Sequence, residues 1–517
     1  MKRLICVAAC VGAASLFTSA ASDTITVDGG QISGTSADGV RVFKGIPFAA
    51  PPVGALRWRA PQPVVAWSGV KTADTFGAQC MQQPYPAGSP YASAPQPTSE
   101  DCLYLNVWTA ATAGEPSTRS GSRPVMVWIH GGAWTRGSGS TPSYDGTALA
   151  KNGVVVVTTN YRLGVVGFLA HPDLTAESPN HASGNYAILD HVAALKWVQK
   201  NIAAFGGDPS RVTIFGESAG SWSVNVVQAT PLAKGLFHRA IGESGGQFAR
   251  TASLAEAEKG GVALATAAGA ASLADLRALP ADKLLAIQTF RTGVNVDGYV
   301  LPADVGSLFA QKKQNDVPVL IGSNANEWTT LSNPATFPKT MDELRKRIET
   351  QFPGLASEFD AVYPAKSDAE IADAMLALGR DQTFSLEMRT WARMVTAAGR
   401  KAFLYQFTHV PPSPNAKTWG AYHASEIPYV FGTLRNRPWP FTEVDFTLSD
   451  RMSRYWSNFA ISGDPNGKGL PAWTSYDPTN EPYLELGDTI QTKRHLLKPQ
   501  LDFLEHAQQQ RRSTSQN

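Results

Sequence analysis

The stretch Gly216-Glu217-Ser218-Ala219-Gly220 comes directly after the apolar, β-branched run 212–215 and before a segment, 221–229, that can form a helix. A strand, a sharp turn and a helix in this order hold the serine in a strained turn with its Oγ exposed. Glycines on either side let the strand and the helix approach closely. Because serine is a weak nucleophile until a base takes its proton, the pattern predicts a nucleophile at Ser218 and requires a base and an acid elsewhere in the chain.

A second stretch, Gly242-Glu243-Ser244-Gly245-Gly246, has the same spacing. Its preceding apolar run is shorter, and the glycine pair makes a poor helix start because glycine is costly in a helix. We therefore expect the nucleophile at Ser218, and Ser244 in a strand-end turn that supports the site.

The composition is that of a large enzyme domain. The chain has 517 residues, of which 43% are hydrophobic, with 45 basic and 43 acidic side chains. A nearly balanced charge predicts neither a nucleic-acid partner nor an anionic membrane surface. No segment after the N-terminus has the length and apolarity of a membrane span. An α/β domain of this size can be a single domain with insertions.

The N-terminus predicts export. Lys2 and Arg3 precede the apolar stretch 4–17 and the small residues 18–21, which is the pattern of a cleaved signal peptide. We expect a signal peptide over residues 1–21, one domain over 22–505 and a flexible, polar tail over 506–517. The mature protein is then secreted or periplasmic.

The cysteines agree with export. Cys6 and Cys10 lie in the predicted signal peptide, which leaves Cys80 and Cys102 as an even pair. In an oxidising compartment an even pair favours a disulfide. The alternative is two buried free thiols.

Apolar patterning predicts an α/β fold. The runs 125–129 and 154–159 are continuously apolar, which suits strands buried on both faces of a parallel sheet. Residues 186–203 carry an apolar stripe with helical spacing. Further strands are expected at 317–321, 402–407 and 483–486, and helices within 253–290 and 341–400.

A glycine loop follows the first of these runs. In His130-Gly131-Gly132-Ala133-Trp134 the backbone N–H groups can point at a developing oxyanion. The alternative is an ordinary tight turn. Its combination with the serine turn favours the oxyanion interpretation.

Two later loops can supply the acid and the base. Glu327 follows the predicted strand 317–321, and His423 follows 402–407. Open α/β sheets place their sites at the carboxyl ends of strands, and the chain order serine, acid, histidine is a known one. His409 lies closer to its strand end than His423 does, so spacing leaves it as a rival base.

Several further motifs point to a known family. In order along residues 27–490, they are Phe43-Lys44-Gly45-Ile46-Pro47-Phe48-Ala49, Glu100-Asp101-Cys102-Leu103, Asn160-Tyr161-Arg162-Leu163-Gly164, Phe205-Gly206-Gly207-Asp208-Pro209 and the Ser218 pentapeptide. With them the chain resembles the type-B carboxylesterase family, the carboxylesterase/cholinesterase branch of the α/β-hydrolases. The resemblance implies a large, mostly parallel central sheet flanked by helices, with helical insertions, in a bacterial exported protein.

The resemblance also implies the site. The family's catalytic triad falls on Ser218, Glu327 and His423, which favours His423 over His409. Glu217 corresponds to a buried carboxylate beside the nucleophile.

The family's oxyanion hole falls on the N–H groups of Gly132, Ala133 and Ala219. Its first disulfide falls on Cys80–Cys102, and two structural ion pairs fall on Arg57–Glu100 and Arg162–Asp190.

The expected activity is hydrolysis of small-molecule carboxylic esters through an acyl-serine. No cofactor and no metal are expected, because no histidine–carboxylate cluster has ligand spacing. The loop between the two cysteines has no tryptophan, so no cation–π site for choline is evident. The alternative from another class is a catalytically silent binding or adhesion protein on the same fold.

Overall fold

The computed structural model describes residues 24–86, 88–111 and 122–514. The predicted signal peptide, residues 1–21, therefore lies outside the described residues. So do the last three positions of the predicted tail.

Several short strands precede the central strands in the chain. The strands are β1 (Thr24–Val27), β2 (Gly30–Ser33), β3 (Thr35–Ala37), β4 (Val40–Pro47), β5 (Val70–Thr72), β6 (Gln79–Cys80), β7 (Thr98–Ser99), β8 (Tyr104–Thr109), β9 (Arg123–Ile129), β10 (Val155–Thr159), β11 (Gly207–Glu217), β12 (Arg239–Glu243), β13 (Ala252–Ser253), β14 (Asn295–Val296), β15 (Val319–Asn324), β16 (Ala402–Phe407), β17 (Pro482–Leu486) and β18 (Ile490–Arg494).

Helices lie between most of the later strands. They are α1 (Thr147–Lys151), α2 (Gly164–Phe168), α3 (Pro172–Glu177), α4 (Tyr186–Asn201), α5 (Ala219–Ala229), α6 (Leu254–Ala267), α7 (Leu273–Ala278), α8 (Ala281–Leu285), α9 (Val305–Ala310), α10 (Met341–Gln351), α11 (Ala356–Val362), α12 (Ile371–Arg380), α13 (Leu386–Ala397), α14 (Ala416–Trp419), α15 (Ile427–Val430), α16 (Glu443–Ser462) and α17 (Lys498–Thr514).

The main sheet has 11 strands in the order β18-β17-β16-β15-β12-β11-β9-β10-β8-β4-β3. Pairing is parallel from β17 through β10 and antiparallel at both edges. Because parallel strands share one direction, the carboxyl ends of β11, β12, β15 and β16 meet at one edge of the sheet. The predicted α/β-hydrolase fold is confirmed.

Successive residues of β9 show how the sheet is buried. Val125, Val127 and Ile129 belong to one apolar cluster, whereas Met126 and Trp128 belong to another on the opposite face. Successive side chains of a strand point to opposite faces, so both faces are covered. This explains the continuous apolar run in the sequence.

The predicted elements are found close to their expected bounds. The strand predicted at 402–407 is β16, and those predicted at 125–129, 154–159 and 317–321 overlap β9, β10 and β15. The helix predicted over 186–203 ends at Asn201 and continues as a 3₁₀ turn, Ile202–Phe205. Within the described residues, no helix has the length and apolarity that crossing a membrane requires.

Regular structure continues past residue 505, into the segment 506–517 that was predicted to be a flexible tail. Helix α17 continues from Lys498 to Thr514. Leu504 and Ala507 are buried in the cluster formed with α10, α11 and α12. Polar composition suggested a tail, but the apolar residues of this helix pack against the other helices.

The predicted disulfide joins Cys80 to Cys102. The 22-position separation predicts about 3 kcal/mol of stabilisation by chain entropy. The double variant C80S/C102S should therefore unfold at lower urea concentration, with a free energy of unfolding reduced by about 2–4 kcal/mol.

Reducing agent provides the control for this prediction. It should destabilise the wild type and leave C80S/C102S unchanged. A wild type whose unfolding is insensitive to complete reduction would contradict the prediction.

Candidate active site

Ser218 lies in the predicted turn. Strand β11 ends at Glu217 and helix α5 begins at Ala219, and Ser218 between them has φ 57° and ψ −123°. Such a backbone conformation is strained for a residue with a side chain. Gly220 permits it, since a Cβ there would lie 2.0 Å from the carbonyl oxygen of Ile129. The Ser218 residue remains 8% exposed.

Glu327 and His423 meet behind this turn. Nδ1 of His423 lies 2.5 Å from Oε2 of Glu327, whose side chain is fully buried. Oε1 of Glu327 accepts hydrogen bonds from the backbone N–H of Asn324 at 2.6 Å and from Oγ of Ser244 at 2.5 Å. The carboxylate is thus held by three groups. It fixes the imidazole orientation with Nδ1 as donor, which leaves Nε2 able to accept a proton.

The other ring nitrogen of His423, Nε2, faces the serine turn. It lies 3.0 Å from Oε1 of Glu217. The Ser218 Oγ makes no hydrogen bond with any group in the described residues. A serine hydroxyl can turn toward Nε2, and catalytic hydrogen bonds often tighten only when substrate is bound.

The carboxyl groups beside the predicted triad are unusual. Burial, followed by the negative charges of Glu327 and Glu243, raises the pKa of Glu217 well above its ordinary value. Burial raises the pKa of Glu243 to about 8, although Trp456 Nε1 donates to it at 2.8 Å. Glu217 and Glu243 are paired positions on the neighbouring strands β11 and β12. Neutral carboxyl groups at this position avoid crowding negative charges behind the serine.

Sequence reasoning missed Glu243 and Glu426. Burial, and then the charges of Glu217, Glu243 and Glu327, raises the pKa of Glu426, which accepts a hydrogen bond from Asn324 Nδ2. Glu243 occupies the same position in the second glycine–serine pattern as Glu217 does in the first. That repetition was the available signal.

The glycine loop lies against the serine turn. Gly132 has φ 107° and Ala133 φ 55°, and the carbonyl of Gly132 accepts the N–H groups of Thr135 and Arg136, each at 3.0 Å. A Cβ on Gly131 would lie 3.0 Å from the Cβ of Ser218. The loop therefore passes directly beside the serine.

Three backbone N–H groups in this region are free. Within the described part of the chain, the N–H groups of Gly132 and Ala133 have no hydrogen-bond acceptor. Ala219 is the first residue of α5, where an N–H has no partner within the helix. These are the donors that an oxyanion would use.

His409, the rival base, is bound elsewhere. Its Nε2 lies 2.8 Å from Asp445 and its Nδ1 lies 2.5 Å from Asp488. Both ring nitrogens are therefore occupied by other carboxylates. Only His423 is brought to Glu327.

Aromatic side chains surround His423 and the serine turn. Phe384, in the π-helical turn Asp381–Ser385, lies with its ring centre 4.9 Å from that of His423, and Tyr91 lies 6.2 Å away in an edge-on contact. Trp134 and Trp222 contact each other at 5.4 Å. The described residues contain no group of histidine, cysteine, aspartate and glutamate side chains that could hold a metal ion.

Glu387 in α13 leads to a pH prediction. Burial raises its pKa to about 8, and the Phe248 N–H, at 2.7 Å, opposes the shift in part. Between about pH 4.5 and 8 the unfolded chain has lost a proton that the folded chain keeps, so stability falls as pH rises through this window. We expect E387Q, which cannot titrate, to gain stability over the wild type by about 1 kcal/mol per pH unit from pH 5 to 8.

Urea unfolding at a series of pH values measures this difference. Glu443, exposed in the first turn of α16, provides the control. The free energy of unfolding of E443Q should change with pH in the same way as that of the wild type. If the free energy of unfolding of E387Q also followed that of the wild type across this pH range, Glu387 would not hold its proton in the folded state.

A central parallel sheet, a strained strand–turn–helix serine and an acid–histidine pair at the carboxyl ends of later strands together define an α/β-hydrolase. The Carboxylesterase family profile matches residues 21–504. The chain belongs to the carboxylesterase family and is a carboxylic ester hydrolase.

Individual relatives agree with this assignment. The chain is 39% identical to fumonisin B1 esterase of Sphingopyxis macrogoltabida, over 87% of this chain and 84% of that one. It is 36% identical to liver carboxylesterase 1 of Oryctolagus cuniculus, over 90% and 88%. Among solved structures, a carboxylesterase of Geobacillus stearothermophilus is 35% identical with a TM-score of 0.80, over 93% of this chain and 99% of that one.

Proposed function

We propose that the chain hydrolyses carboxylic esters in two steps through an acyl-enzyme on Ser218. The observation that supports this best is the buried Glu327–His423 pair beside the strained serine turn. His423 takes the Ser218 proton as Oγ bonds to the acyl carbon, and Glu327 stabilises the resulting imidazolium. The same histidine then gives the proton to the departing alcohol, and water releases the acid in a second, equivalent attack.

The free N–H groups of Gly132, Ala133 and Ala219 stabilise the negative oxygen of each tetrahedral intermediate. A single donor of this kind contributes about 3–4 kcal/mol to the transition state in other hydrolases. Glu217 contacts the catalytic nitrogen of His423 from the side of the turn. Its raised pKa keeps it neutral, so it does not hold the imidazole in its charged form between turnovers.

We also infer that the protein is exported. The disulfide between Cys80 and Cys102 requires an oxidising compartment in most bacteria. The N-terminal pattern of Lys2, Arg3 and the apolar stretch 4–17 fits a signal peptide. Mass spectrometry of the secreted or periplasmic fraction tests this, and a mature N-terminus near residue 22 is the expected result.

A substrate panel tests the activity. It contains p-nitrophenyl esters of increasing acyl length. It also contains fumonisin B1, which appears in the name of one relative, fumonisin B1 esterase. It also contains a medium-chain acyl-CoA, because another relative, 37% identical, is a medium-chain fatty acyl-CoA hydrolase of Anas platyrhynchos. We expect ester turnover that a chelator does not reduce, since the triad supplies both the nucleophile and the base. No turnover of any member, with Ser218 inert to an organophosphate, would favour the binding-protein alternative.

A further inference from the structure

Two hydroxyl groups meet beside the catalytic histidine. The hydroxyl of Tyr91 lies 2.5 Å from Oγ1 of Thr330. Tyr91 belongs to the loop closed by the disulfide, and Thr330 follows Glu327 by three positions. The two hydroxyls thus join the disulfide loop to the loop that carries the predicted acid.

This hydroxyl pair lies on the side of the site where the alcohol part of an ester leaves. His423 protonates the departing alcohol oxygen in the proposed mechanism, so the alcohol part must lie next to its ring. The ring of Tyr91 contacts that same ring edge-on, at 6.2 Å between centres. Both Tyr91 and Thr330 remain partly exposed.

The pair has one hydrogen to spare. Each hydroxyl carries a single hydrogen, and the contact between them uses only one of the two. Within the described residues, neither oxygen has another hydrogen-bond partner. Burial raises the pKa of Tyr91 far above its ordinary value, and the carboxyl groups of Glu217 and Glu327 raise it further. Both hydroxyls therefore remain neutral donors at working pH.

The surrounding charges restrict what can accept this hydrogen. Of the two carboxyl groups that act on Tyr91, Glu217 is neutral, as described above, so the negative charge here is that of the Glu327 carboxylate. A carboxylate on the alcohol part would be repelled by negative charge in this buried region, whereas a neutral ether, hydroxyl or ester oxygen would not. On the basis of the proposed function, we propose that the Tyr91–Thr330 pair selects esters whose alcohol part carries an uncharged oxygen.

Two pairs of isosteric esters test the proposal. On the alcohol side, 2-methoxyethyl acetate and n-butyl acetate differ only by an oxygen in place of a methylene. On the acyl side, ethyl 3-methoxypropanoate and ethyl pentanoate differ in the same way. For each pair we take the kcat/KM of the methoxy ester divided by that of its methylene analogue. We expect the alcohol-side ratio to fall about three- to tenfold in the double variant Y91F/T330V, as loss of one hydrogen bond predicts. The acyl-side ratio should stay constant.

The single variants Y91F and T330V show which hydroxyl donates outward, and they also serve if the double variant folds poorly. In that case at least one of them must lower the alcohol-side ratio. Tyr104, whose hydroxyl donates to Asp101 at 2.9 Å, provides a matched control, and Y104F should keep both ratios.

The outcomes separate the two proposals. If the folded double variant keeps an alcohol-side ratio within twofold of the wild type, or if both ratios fall together, the hydroxyl pair does not select the alcohol. If the wild type cleaves none of the four esters, the proposed ester hydrolysis itself fails.

Discussion

Ser218→Ala should reduce kcat for ester hydrolysis by about 10⁴- to 10⁶-fold, as nucleophile removal does in other serine hydrolases. The predicted acyl-enzyme cannot form without Oγ, and only the free N–H groups and binding remain. The same variant should lose all labelling by an organophosphate. Stopped-flow kinetics with a p-nitrophenyl ester and mass spectrometry of the labelled peptide measure both effects.

Ser244→Ala is the matched control, because Ser244 has the same sequence pattern and a positive φ of 56°. Its Oγ is buried and donates to Glu327, so it cannot attack a substrate. We expect S244A to lose about tenfold in kcat, since Glu327 loses one of its three partners, and to remain labelled at Ser218. Label on Ser244, or full turnover in S218A, would overturn the assignment of the nucleophile.

The second large effect is on stability and concerns Arg162 and Asp190. Asp190 accepts the backbone N–H of Arg162 at 3.0 Å and two guanidinium nitrogens at 2.9 and 2.7 Å. The two side chains are 1% and 0% exposed. Removing one partner leaves the other charge buried and unpaired. We expect Asp190→Ala to lower the free energy of unfolding by about 3–5 kcal/mol.

Two variants make this prediction specific. D28A removes a partner of Lys200 in an ion pair whose side chains are 64% and 43% exposed, and it should cost less than about 1 kcal/mol. R162M/D190A removes both charges and should recover part of the loss. If D190A costs no more than D28A in urea unfolding, the buried pair does not stabilise the fold as proposed.

Local sequence patterns were sufficient for much of the fold. The continuous apolar runs predicted β9 and β10 because strands covered on both faces need apolar residues at every position. The edge strands were not predicted. Strand β18, for example, is exposed from Gln491 to Arg494, and its backbone pairing with β17 rather than an apolar pattern holds it in place.

The helical tail shows a different limit of sequence reasoning. Residues 506–514 are mostly polar, and polarity alone predicts a tail. The helix is stabilised by distant partners, since Phe503 packs on Phe352 at 5.1 Å and His506 lies 3.0 Å from Glu358. Contacts of this kind are between segments about 150 positions apart, which no local pattern records.

The sequence by itself determined the serine turn, because the need for small residues around Ser218 is local and steric. It also determined the glycine loop and the cysteine pair. The tertiary structure decided which carboxylate and which histidine side chains meet. Glu327 and His423 are 96 positions apart. Their spacing alone left His409 open and only the family resemblance favoured His423, whereas the fold brings His423 to Glu327 and His409 to Asp445 and Asp488. The neutral carboxyl groups around the predicted triad likewise depend on burial and on neighbouring charges, and both arise only when the strands pack side by side.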